Sequence, residues 1–165
     1  MRLDRFHPWA EQTLADAKSA AISGMESGVD GLAFGTRIVL ANKAQVHIQW
    51  VRTAPPSGDA SGSAEKIVKG ESPTPVDVPD LPPTGPYATA DVERHLAALL
   101  NNGGNDELAE VRGYSQDSKL GTTQQPFGIR VLCHSGAVVF GLFRHTLGAG
   151  QQPTKEGAFK QRETL

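Results

Sequence analysis

Apolar positions along the chain switch between helical and strand spacing, and each switch predicts an element. Ala10, Leu14, Ala17 and Ala21 recur at steps of three to four, with Ile22 beside the last, the spacing that gathers side chains on one helix face. His7 before Pro8 marks the expected start, since a proline at the first helical position gives up only an amide the helix leaves unbonded. Gly24 or Gly28 is expected to end this helix. The β-rich runs 32–41 and 44–53 then flank Asn42-Lys43, which predicts a hairpin with a two-residue turn.

A second helix is expected from Thr89, with Val92, Leu96, Leu99 and Leu100 on one face, and Asn101-Asn102-Gly103-Gly104 as its stop. A short helix is expected around Glu107 to Arg112. The runs 127–134 and 137–146 around Ser135-Gly136 predict a second hairpin. The fold class read from this pattern is α+β: two helix-plus-hairpin units in the order α-β-β, linker, α-β-β. They would form a mainly antiparallel sheet of about four strands with helices on one face. The boundaries are 1–53 for the first unit, 54–86 for a Pro/Gly/Ser-rich linker, 87–146 for the second unit and 147–165 for a mobile tail, all within one domain.

Laid over each other without a gap, residues 34–53 and 127–146 match at Phe34/Phe127, Gly35/Gly128, Arg37/Arg130, Ala44/Ala137, Val46/Val139 and Thr53/Thr146. This likeness is compatible with internal duplication and equally with shared hairpin chemistry. Alternation along two-residue-turn hairpins puts Ile129, Val131, Cys133, Val138, Phe140 and Leu142 on one face. In the first hairpin it groups Val39, Ala41, Ala44, Val46, Ile48 and Trp50. Neither hairpin then has a polar side, and two modest helices cannot cover both faces of the sheet. An apolar face around Trp50, Leu132, Val139 and Phe143 is therefore expected to meet a second copy or a protein partner.

Composition narrows the function classes. The 165 residues carry 16 basic and 18 acidic side chains, so the broad positive footprint of a nucleic-acid binder is missing. No run approaches the roughly 20 apolar residues of a membrane helix, and the first residues lack a secretory apolar core, which makes the cytoplasm the expected location. Cys133 is the only cysteine. It excludes an internal disulfide, and it cannot pair with its neighbour His134 because adjacent strand residues point to opposite faces.

Phosphate-loop, dinucleotide, zinc-protease and nucleophile-elbow motifs are all missing, so no cofactor and no metal is expected. What chemistry the chain could do rests on His47 and His134 as bases. Arg37 and Arg130, at matching places in the hairpins, could clamp an anion across a shared cleft. The balance of these features favours a non-catalytic binding or assembly protein, such as an accessory subunit, an adaptor or an immunity-type partner. The alternatives are a small enzyme with a His/Arg site between helices and sheet, or a carrier or sensor of a small-molecule ligand.

Overall fold

The computed structural model describes residues 1–59 and 63–165. Residues 60–62 of the expected linker lie outside the described residues. The elements are α1 (Leu3–Asp16), β1 (Ile22–Ser27), β2 (Gly35–Leu40), β3 (Gln45–Thr53), α2 (Thr89–Asn101), β4 (Leu108–Gly113), β5 (Gly128–Cys133) and β6 (Val138–Leu147). All strands join one antiparallel sheet in the order β1-β2-β3-β6-β5-β4, which curls into a half-barrel.

This corrects the expected four-stranded sheet of two helix-hairpin units. Each half is a helix followed by three strands, and the halves join edge to edge where β3 pairs with β6. The two unforeseen strands, β1 and β4, are the outer edges. Edge strands are kept short, polar and interrupted because one side of their backbone stays unpaired. Ile22-Ser-Gly-Met-Glu-Ser and Leu108-Ala-Glu-Val-Arg-Gly follow that rule, and each has a register shift near its start. The segment read as a short helix over Glu107 to Arg112 is thus β4.

The first helix begins earlier than expected, at Leu3, and Pro8 lies inside it. The helix ends at Asp16, short of the expected stop at Gly24 or Gly28, so Ala21 and Ile22 lie outside it and Ile22 opens β1. Phe6, Ala10 and Leu14 form the buried stripe of α1. Val92, Leu96, Leu99 and Leu100 do so for α2. Both stripes join one core with Ile38, Leu40, Val46, Ile48, Ile129, Val131, Cys133, Val139 and Phe143, so both helices lie on the same sheet face. Trp50 fits there because its partner across the β3–β6 seam is Gly141. A Cβ on Gly141 would come within 2.5 Å of the indole.

Both hairpin loops hold three residues, not two. Leu40 N bonds Ala44 O at 2.9 Å around Ala41-Asn42-Lys43, and Cys133 N bonds Ala137 O at 2.9 Å around His134-Ser135-Gly136. The extra residue shifts the register by one, and a one-residue shift exchanges the faces of a strand. Thr36, Ile38 and Leu40 consequently enter the core while Val39 leaves it. Val138, Phe140 and Leu142 move to the outer face, and Val139 and Phe143 turn inward.

Residues 63–86 have no regular secondary structure, yet run beside α2 on side-chain bonds. Asn101 Nδ2 donates to Thr74 O at 2.8 Å, and Asn102 bonds both Val76 N (2.9 Å) and Val76 O (2.7 Å). His95 Nδ1 lies 2.7 Å from Pro79 O. The segment after β6 returns across the sheet: Gln161 bonds Phe127 N, Phe127 O and Phe143 O, each at 2.8 Å. Among the described residues no helix is long and apolar enough to cross a membrane.

Candidate functional site

Two places on the outer sheet face gather side chains of functional interest. The first sits on the β3–β6 seam, where a register shift beside His47 and Ile48 brings His145 opposite His47. The two rings meet edge to face with centroids 5.5 Å apart, and both side chains are buried. Above them a short turn, Val29–Gly31, holds Asp30 at φ +57°. Its Oδ2 is 3.0 Å from His47 Nδ1, 3.8 Å from His145 Nε2 and 3.9 Å from Arg144 Nε.

On its other side His47 Nε2 approaches Gln45 Oε1 at 3.2 Å. Arg144 donates to Gln49 Oε1 at 3.2 Å and lies 5.4 Å from the Phe159 ring centroid. Burial lowers the pKa of His145 below the ordinary histidine value, with His47 and Arg144 adding repulsion and Asp30 opposing them. This cluster can hold one imidazole oriented against one carboxylate. The turn carries the signal that could have revealed it: Asp30 lies between Gly28 and Gly31, and aspartate tolerates the left-handed conformation such a turn imposes.

The second place adjoins it on the same face. Val51 faces Phe140 across the seam, and Val138 faces Leu132 across β5–β6, with Leu142 next along β6. Each of the five keeps part of its side chain in solvent. Around them stand charged pairs. Glu110 joins Arg112 (2.6 Å) and Arg130 (2.9 Å) on one side, and Arg37 pairs with Glu26 on the other.

The expected site residues therefore do not converge. His47 lies in the seam cluster, whereas His134 is in the β5–β6 loop, at the opposite end of β6 from His145, with Nε2 2.9 Å from Glu71 O. Arg37 and Arg130 share the outer face, but β3 and β6 lie between them, a separation of roughly 14 Å at the usual strand spacing. Each is paired with its own carboxylate. Of the expected interface residues, Leu132 is on the outer face, while Trp50, Val139 and Phe143 are enclosed in the core. Cys133 is also buried there, and loss of water pushes its thiol pKa up. Among the described residues no group of three His, Cys, Asp or Glu side chains is placed to hold a metal.

Fold and site together define an α+β protein whose curled six-stranded sheet carries two helices on one face and a mixed apolar and charged surface on the other. Comparison with protein-family models, with curated proteins and with solved structures returns no match.

Proposed function

We propose that the chain is a non-catalytic binding or assembly protein, an accessory or adaptor subunit that docks through the outer face of its sheet. The observation behind this reading is the Val51, Phe140, Val138, Leu132 and Leu142 patch, in part open to solvent and rimmed by charged pairs. An apolar centre within a polar rim is the usual anatomy of a protein interface. The rim contains both signs of charge, so a two-fold copy can set carboxylates against arginines. A second copy of the chain is the occupant proposed here.

Sedimentation velocity over a concentration series tests this reading. A dimer that Phe140→Glu converts to monomer at unchanged far-UV circular dichroism supports it. A monomer at all concentrations would defeat it.

A second reading draws on the 3.0 Å Asp30–His47 contact. A small enzyme would use His47 as a base oriented by Asp30. His47→Gln that leaves every detectable activity and ligand affinity unaltered would remove this alternative.

A further inference from the structure

Each half of the fold has a hollow between its helix and its edge strand, and the two hollows differ in a telling way. Beside α1 and β1 the hollow is about 210 Å³, lined by Leu14, Ala15, Lys18 and Ile22 among others. Beside α2 and β4 it is about 640 Å³, within the usual range of ligand sites. The larger one has a third wall that the smaller lacks, the extended segment from Pro73 to Pro79. That wall is fixed to α2 by Asn101, Asn102 and His95, and of these Asn101 and His95 are buried.

The floor leaves room above it because its side chains are small: Ala97 and Ala98 from α2, and Ala109 from β4. The remaining wall is the free edge of β4, the last strand of the sheet. Among the described residues, the backbone of 109–112 bonds only to β5. An edge strand presents a row of N–H and C=O groups at the spacing of another strand, and backbone is what satisfies such a row.

We infer that the slot between β4, α2 and the Pro73–Pro79 segment binds an extended peptide segment of another protein, which pairs with β4 as an added strand. Backbone pairing supplies the affinity, and the alanine floor selects small apolar side chains on the inward positions. Asp77 and Arg94 at one side, and Glu110 and Arg112 at the other, meet polar side chains on the outward ones. The slot meets the rim of the outer-face patch at Glu110 and Arg112, but its floor and its pairing edge lie outside the apolar residues of that patch.

Random decapeptides displayed on phage and selected on the intact chain supply the probe, and the selected sequences are then made synthetically. Binding is expected to weaken tenfold or more when the alternate amides facing β4 are N-methylated, and to be indifferent to methylation of the other set. Ala98→Phe, which fills the floor, should weaken binding to a similar degree. Ala15→Phe in the smaller hollow should leave it intact. Should Ala98→Phe fail to fold, the N-methyl series on the unaltered chain still decides. A selection that yields no peptide, binding insensitive to N-methylation, or equal loss with Ala15→Phe overturns the inference. So does a dimer abolished by Ala98→Phe, which would put a second copy in the slot.

Discussion

Lys43 and Gly136 hold the same third position in their three-residue hairpin loops, at φ +70° and +81°. Both loops follow the pattern of a type I turn closed by one left-handed residue. A side chain at that residue costs roughly 1–2 kcal/mol, which glycine avoids. At Gly136 an added Cβ would also meet Pro56 Cδ at 2.8 Å. Gly136→Ala is therefore expected to lose about 1–2 kcal/mol, and Lys43→Gly to gain up to about 1 kcal/mol. Urea midpoints of the two variants check both signs.

The same loops explain how much the sequence could reveal. Spacing alone located β2, β3, β5, β6 and α2 to within a few residues, because their apolar stripes are long, whereas α1, expected from Pro8 to Gly24 or Gly28, spans Leu3–Asp16. The count of loop residues was not readable from Asn42-Lys43 or Ser135-Gly136. In both places the first loop residue, Ala41 or His134, also passes for the end of a strand. That single residue decided which side of β2 and of β6 faces the helices, while β3 and β5 keep the sides the pattern predicts. It turned Phe143 and Val139 from expected interface into core. Strands β1 and β4 were hidden for a different reason: an edge carries little apolar alternation by its nature. Asp30 was hidden because its partner His47 comes from another segment, and tertiary contact, not spacing, joins them.

Glu93 offers a test of a buried carboxylate. Its side chain is fully buried on α2 and accepts bonds from Gly128 N (2.7 Å), Ser115 N (2.9 Å) and the Ser115 hydroxyl. Burial raises its pKa, and those bonds hold the rise back. A raised carboxyl binds its proton more readily in the folded state, so its contribution to stability falls as pH rises from the unfolded carboxyl range through its folded pKa. The unfolding free energy of the native chain should thus improve relative to Glu93→Gln as pH is lowered through that window. Paired urea titrations at stepped pH give the difference. Glu93→Ala strands several buried donors and should cost about 3 kcal/mol or more.

His145 is expected to act in the opposite direction. Its folded pKa is lowered by burial beside His47 and Arg144, so the unfolded chain takes up the proton first. Stability is then lost as pH falls through the ordinary histidine range, from about 6.5 downward. His145→Gln removes that proton uptake. The native chain should lose stability relative to this variant between neutral pH and pH 5, and an unchanged difference would show that burial does not lower the pKa of this ring.

Thr36 ties the first helix to the sheet through one hydroxyl. It is fully buried, donates to Glu11 Oε1 at 2.8 Å and accepts from Trp50 Nε1 at 3.2 Å. His7 Nε2 lies 3.0 Å from the same oxygen. A valine has the same shape without the oxygen, so Thr36→Val leaves the buried indole N–H without its acceptor and takes one donor from the Glu11 carboxylate, which keeps the Ser27 hydroxyl and His7. The expected cost is about 2–3 kcal/mol. Thr36→Ser keeps the hydroxyl and gives up only a methyl group, for about 1 kcal/mol. If hydrogen bonding governs this position, serine must be the milder change; if packing governs it, valine must be. Urea unfolding followed by tryptophan fluorescence separates the two, since Trp50 itself reports whether the network around Thr36 is intact.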